Sequence, residues 1–368
     1  MDQEKIYQVA MEFIPGIGDS NAKNLISYTG SASAVFKANK KQLSRIPGIG
    51  QKTIASILSQ NVLSQAENII EDCIKKEVNI LHYSDKDYPQ GLKQVYDAPN
   101  IIYTKGNLGL NLERQLAIVG TRNATTYGKE VTEKIIEEMV PLKTVIVSGL
   151  AYGIDIHAHR AALKYSLPTI AVLAGGLDKI YPSLHQKTAE EILENGALIS
   201  ENPPGVQAEA HFFPARNRII AGMTDATIVV EAAKKGGALI TANIADSYNK
   251  VVFAIPGNLN NAFSEGCNQL IRSQKANLYR GIEDLDYHLS WKKDNKAQHS
   301  KKAEQLIHFN TEEKKVYELL KGENNGLAID TIAWKTQIAI NNLASILLNL
   351  EFQGYVKSLP GKKYQAAH

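Results

Sequence analysis

LAIVGTRNATTYGKEV, Leu116 to Val131, decides the fold class of this 368-residue chain. Apolar residues run without alternation into Gly120, and a polar, helix-forming stretch follows. That order is a buried strand, a glycine turn and a helix start, the way nucleotide-binding α/β domains begin. The dinucleotide fingerprint G-x-G-x-x-G is missing, because Thr121 and Arg122 stand where further glycines would sit. A pyrophosphate needs the close backbone approach that those glycines allow, which argues against NAD. Gly120, Thr121, Arg122 and Asn123 instead offer amides, a hydroxyl and a guanidinium at a helix start, a set suited to a single phosphodiester.

Outward from this stretch the pattern repeats. From Leu112 to about Ser290 the chain alternates helical segments with the runs TVIVSG, TIAVLAG, GALIS, ATIVVEA and KVVFAIPG. They are β-branched, continuous and closed by small residues, as strands buried on both faces of a parallel sheet are. The expected fold is α/β, a Rossmann-like doubly wound parallel sheet, over 112–290. Ligands of such sheets lie beyond the C-terminal strand ends, so the residues just after each run are the candidates.

Three further strand ends carry chemistry. SGLAYGIDIHAHRAAL places Ser148, Gly149 and Gly153 in a tight turn, with Asp155 able to cap the next helix. His157 and His159 lie two apart on that helix and point in different directions, so no metal site is expected and His159 reads as a packed residue. HFFPARNRII sets Arg216, Asn217 and Arg218 beside a helix start, behind Phe212 and Phe213. Arginines interleaved with aromatics suit a sugar–phosphate backbone, whereas a core reading makes one arginine a structural ion pair. EAAKKGGALITA puts Lys235, Gly236 and Gly237 at another strand-to-helix turn. Thr121, Arg122, Arg216, Arg218 and Lys235 are expected along one rim of the sheet, and a row of separate phosphate grips suits a nucleic-acid strand.

The flanks differ in kind. FIPGIGDSNAKNLI and RIPGIGQKTIASIL repeat one phrase, with Gly16 and Gly48 spaced 32 residues apart. Each phrase ends a helix, turns through Pro-Gly-Ile-Gly and starts another helix, giving a tandem helix-hairpin-helix (SAM-like) domain over 1–80. Its turns, at Gly16, Gly18, Gly48 and Gly50, either bind a DNA phosphate or serve as a packing device. Residues 81–111 read as an ordered extension joining the sheet through NIIYTKG. The stretch WKKDNKAQHSKK opens a Lys-rich linker over 291–308. Residues 309–368 read as a winged helix, with helices near Thr311–Leu320, Ile329–Lys335 and Ile338–Phe352, then a β-hairpin around Pro360-Gly361. The pattern leaves open whether this domain binds DNA or protein.

Totals narrow the class. Hydrophobic content of 44% and charged content of 21% are ordinary for a globular chain. No apolar run reaches the 18 residues a membrane span needs, and the acidic N-terminus lacks a signal-peptide core. Cys73 and Cys267 form no pair motif, which fits a reducing, cytoplasmic setting. Net charge is +3, with Lys and Arg against Asp and Glu standing at 9 to 8 over 1–80, 20 to 22 over 81–290 and 12 to 8 over 291–368. The middle has no general basic field, so an anion there must meet a local pocket.

In order and spacing, VGTRNATTYG, SGLAYGIDIHAHRAAL, VLAGGLDKIYP, FPARNRIIAG, GGALITA and VFAIPG resemble the DprA/Smf (DNA-processing protein A) family over nearly the whole chain. The resemblance implies a single-stranded-DNA-binding protein of natural transformation and recombination. It would protect incoming strands, load the recombinase RecA past single-strand-binding protein, act as a homodimer and need no cofactor. Carried over by motif, the strand-binding pocket falls on Gly120, Thr121, Arg122, Arg216, Asn217, Arg218, Lys235 and Gly237, with no catalytic residue and no metal. Relatives commonly carry Lys-Ser-Gly-Ser where this chain has Lys235-Gly236-Gly237-Ala238, so two hydroxyl donors are gone. A related phosphoribohydrolase enzyme would need a glutamate where Asn243 stands, and general acid–base work has no titratable group there. A nuclease would need clustered carboxylates, and none is evident at the strand ends. A recombination scaffold without its own strand-binding pocket is the remaining alternative.

Overall fold

A computed structural model describes residues 3–291, 310–321, 326–353, 355–359 and 363–366. The chain divides into two compact units, 1–292 and 293–368.

The first unit is built on one nine-stranded sheet. Its strands are β1 (Asn79–His82), β2 (Ile101–Gly106), β3 (Gln115–Val119), β4 (Val145–Ser148), β5 (Thr169–Leu173), β6 (Gly196–Ser200), β7 (Ala226–Val229), β8 (Val251–Ala254) and β9 (Asn277–Leu278). They lie in the order β1-β2-β6-β5-β4-β3-β7-β8-β9. All pairs from β6 to β9 are parallel, while β2 joins β6, and β1 joins β2, antiparallel. Every apolar run singled out in the sequence is a strand of this sheet. The segment 81–111 contributes β2 and the second half of the edge strand β1, so a boundary drawn at residue 80 cuts through β1.

Side chains alternate across the pleat, and both faces are covered. Ala117, Val119, Val145, Val147, Ile170 and Val172 face a core with the Phe212–Met223, Gly237–Ser247 and Glu265–Arg272 helices. Leu116, Ile118 and Ile146 face the Thr126–Met139 and Ile154–Lys164 helices on the other side. Continuous β-branched runs are what such two-sided burial selects, at roughly 1.5–3 kcal/mol for each large aliphatic side chain taken from water. Trp291 is 7% exposed in this second core. The expected linker therefore does not begin at Trp291: that ring is packed, and residues 292–309 lie outside the described residues.

The helical front packs onto the same body. Val9, Ala10, Ala66, Ile70 and Cys73 share a core with Ile101, Tyr103, Leu173 and Leu198. Both hairpin turns form, with Gly16 and Gly48 at φ +84° and +80°, a region that glycine enters at least cost. Asn24 ties them together by donating to the Pro47 carbonyl at 2.7 Å.

The second unit has helices Thr311–Lys321, Ile329–Thr336 and Ile340–Phe352, and a sheet of β10 (Leu327–Ala328), β11 (Val356–Leu359) and β12 (Lys363–Ala366) in the order β10-β12-β11. Val316, Leu320, Ile332, Leu343, Leu347 and Leu350 fill its core. This is the winged helix that the sequence pattern predicts. The Pro360-Gly361 tip lies outside the described residues.

Candidate nucleic-acid interface

Strand β3 has β4 on one side and β7 on the other, so chain connections leave in opposite directions between β3 and β7. A crevice opens beyond the strand ends at such a switch point. Here it is a pocket of about 800 Å³. Gly120, Thr121, Arg122, Arg216, Asn217, Lys235 and Gly237 all line it. Backbone pairing sets its floor: the Thr121 amide donates to the Glu231 carbonyl at 2.7 Å, and the Ile154 amide to the Thr121 carbonyl at 3.1 Å. Gly153, at φ +78°, brings the second turn against the first, where a Cβ would collide with the Thr121 carbonyl.

The phosphate-binding elements are not distributed as the sequence suggested. The helix after Gly120 starts at Thr126, and its N-terminus is already occupied. Glu231 accepts from the Thr125 amide at 3.0 Å and from the Thr125 hydroxyl at 2.6 Å, and Thr125 Oγ1 in turn accepts from the Gly128 amide. A buried carboxylate thus takes the place an external anion would have. The open helix start is that of Gly237–Ser247: its cap residue Gly236 has no side-chain cap, and nothing lies within 4 Å of a Cβ built at Gly236 or Gly237. Lys235 is exposed beside it, and across the pocket Arg122 is exposed with its guanidinium 5.4 Å from the Phe213 ring centre. Neither cation has an ion-pair partner among the described residues.

The three residues of the Arg-Asn-Arg motif divide. Arg216 is 6% exposed, donating to the Gly149 carbonyl at 2.6 Å, to the Val172 carbonyl and to Asn217 Oδ1 at 3.2 Å. It braces the ends of β4 and β5 from beneath the pocket. Burial draws its guanidinium down to about 10, Asp155 opposes that shift and Arg122 adds to it. Asp155, which accepts from the Gly149 amide at 3.2 Å, is pushed up by burial against the pull of Arg216. Asn217 reaches the Gly237 carbonyl at 3.4 Å and so anchors the open helix start.

Arg218 is a correction: it is not in the pocket. It pairs with Asp19 at 3.3 Å and with Glu201, and donates to the Asp97 carbonyl. Asp19 begins the helix after the first hairpin and also accepts from the Asn100 amide at 2.8 Å. The Gly16 and Gly18 turn is therefore followed by an acid docked on the sheet body, a poor neighbour for a phosphate. The Gly48 and Gly50 turn is exposed and followed by Lys52. His159 is buried against Thr169 Oγ1 at 2.7 Å, as a packed residue. Two residues carried no weight in the sequence reading: Tyr181, which lines the pocket with its ring 5.8 Å from that of Phe213, and Glu231, whose carbonyl accepts from the Thr121 amide. Tyr181 was visible as an aromatic in the loop that follows β5, while the pairing of Glu231 with Thr125 spans 106 residues and left no local trace.

Comparison with known proteins fits this geometry. The family described as DNA recombination-mediator protein A matches residues 79–290, a SAM-like helix-hairpin-helix tandem matches 10–60, and a DprA winged helix domain matches 300–362. The Protein Smf of Synechocystis is 32% identical over 99% of this chain and 99% of its own length. The chain belongs to the DprA/Smf family. The DNA processing protein DprA of Bacillus subtilis is 41% identical over 56% of this chain and 70% of its own. Among solved structures, DprA from Streptococcus pneumoniae superposes with a TM-score of 0.62 at 32% identity, covering 77% of this chain and 97% of that one. DprA from Helicobacter pylori, whose structure is described as showing a single-stranded DNA binding mode, gives 0.53 at 32% identity, covering 58% and 96%. A role in DNA processing and recombination comes with DprA/Smf membership.

Proposed function

We propose that this DprA/Smf protein holds single-stranded DNA in the pocket at the β3–β7 crevice and passes the strand to RecA. The observation that carries the reading is the pairing of two cations that have no ion-pair partner among the described residues, Arg122 and Lys235, with an uncapped helix start at Gly236-Gly237. Amides at a helix N-terminus and free guanidinium or ammonium groups neutralise successive phosphates without reading sequence. The Phe213 ring, which lines the same pocket beside Arg122, offers a base an aromatic surface to stack on. Homodimer formation, RecA loading, displacement of single-strand-binding protein and action in the cytoplasm without a cofactor complete the proposal by analogy with the family.

The enzyme alternative finds no support in the residue that would have to act: Asn243 donates to the Leu239 carbonyl at 2.7 Å and accepts from Lys275 at 2.7 Å, as a surface hydrogen-bonding group. One observation favours a partner-binding role for the winged helix. Its third helix, INNLASILLNLEF, carries no Lys or Arg, and Trp334 is 74% exposed on the helix before it.

Filter binding of the full chain to single- and double-stranded oligonucleotides tests the reading. Tighter, length-dependent and salt-sensitive retention of the single strand is expected. Equal retention of both forms, or retention of neither, overturns it.

A further inference from the structure

We propose that bases leaving the pocket continue onto a second stacking platform made by Tyr181 and Tyr152. The inference rests on the reading of the pocket as a single-stranded DNA site and extends it outward.

Three observations lead to it. Tyr181 lines the pocket, packs against Phe213 at 63° and is still 55% exposed. Tyr152 follows the pocket residue Ala151 and is 43% exposed, with its ring 5.0 Å from that of His185 at 70°. His185 is buried, and its Nδ1 is bonded to the Leu150 carbonyl at 2.7 Å, so Tyr152 leans on a fixed ring. Tyr181 and His185 belong to one short segment, joined through Pro182 and the Ser183–His185 turn. Ring contacts thus tie Tyr181 to Phe213 and Tyr152 to His185, and the short segment from Tyr181 to His185 joins the two pairs along the chain.

Edge-on packing fixes a ring while leaving much of its surface open, so what distinguishes Tyr181 and Tyr152 from other exposed rings is that they stand at and beside the lining of the pocket. Lys179, exposed and without an ion-pair partner among the described residues, stands two residues before Tyr181. Rings with a nearby cation, continuous with a phosphate-binding pocket, fit nucleobases on a backbone: every base has a π face, so the platform lengthens the footprint without adding sequence preference.

The test uses the full chain and oligo-deoxythymidines graded from roughly 4 to roughly 16 nucleotides. Tyr181→Ala and Tyr152→Ala are compared with Tyr181→Phe and Tyr152→Phe, and Lys235→Ala serves as the pocket control. The alanine variants should lose roughly ten-fold in affinity for the longer oligonucleotides and little for the shortest, with an unchanged salt slope, while the phenylalanine variants bind like the parent. Alanine variants that match the parent at every length, while Lys235→Ala weakens binding, overturn the platform and leave the pocket standing. An equal loss at all lengths, or a phenylalanine variant as weak as alanine, also overturns it, because it marks a distorted pocket or a hydroxyl contact. A parent protein that binds no oligonucleotide sinks the pocket reading itself.

Discussion

Glu231, just past the end of β7, accepts two hydrogen bonds from Thr125, at 3.0 Å and 2.6 Å, and so closes the helix start next to Gly120 from inside the protein. The helix and the crevice are thereby joined by an internal anion, and on the proposed reading an external phosphate is left to the Gly237 helix. Gly128 belongs to the same device, since a Cβ there would fall on the Glu231 carboxylate. Gly128→Ala should destabilise the protein by roughly 1–3 kcal/mol through overpacking, measured by urea denaturation. A variant as stable as the parent would show that the carboxylate is not fixed in this position.

Arg218 is expected to separate in experiment from the pocket cations Arg122 and Lys235. Arg122→Ala and Lys235→Ala should each weaken single-strand binding for all sequences and lower the salt slope by about one unit. Arg218→Ala should leave that slope alone and cost roughly 2–4 kcal/mol of stability, since it strands Asp19 and Glu201 beside each other. A salt slope that falls in Arg218→Ala would return this residue to the DNA site.

The hydroxyl-poor loop can be refilled. Gly236 has an extended backbone, at φ 167°, with open space around a Cβ. Gly236→Ser should keep the melting temperature and tighten oligo-deoxythymidine binding by about five-fold, the worth of one added hydrogen bond. No change in affinity would mean that backbone amides already satisfy the phosphate there.

Acid should weaken the fold through two buried imidazoles. Burial holds His82 down to about 4 and His159 down to about 3, the latter with help from Arg216 and His185, against an ordinary value of 6.5. The unfolded chain therefore takes up these protons first, and the stabilisation is complete above pH 6.5 and lost as pH falls toward 4 and 3. Each ring should contribute a slope of about 1.4 kcal/mol per pH unit over that window. Urea midpoints measured between about pH 7 and about pH 4 check it, with His159→Gln expected to flatten the acid limb. Parallel curves for the two proteins would rule the ring out.

Much of this architecture was legible because it depends on local pattern. Runs such as Leu116–Val119 and Ile170–Leu173 declare burial on both faces by composition alone, and the Pro-Gly-Ile-Gly turns declare their helices. β1 escaped because Asn79 and His82 bracket only two apolar residues, and β9 because two residues carry no period. The misplacement of Arg218 was avoidable: residues two apart on a helix point about 200° away from each other, so Arg216 and Arg218 cannot both serve one pocket. The role of Glu231 was not legible, because its partner comes from a different strand end and nothing in VVEA distinguishes a capping acid from a surface one.

The core that Val9, Ala66, Ile70 and Cys73 share with Ile101, Tyr103 and Leu173 bears on how the molecule can be dissected. Severing the chain near residue 80 would split β1 and bare one flank of the sheet, leaving Tyr103 wet and Arg218 without Asp19. A shortened protein made that way reports on a wounded scaffold. The second unit, 293–368, is compact by itself and Trp291 belongs to the core of the first, so functions should be apportioned by a cut after Trp291 first.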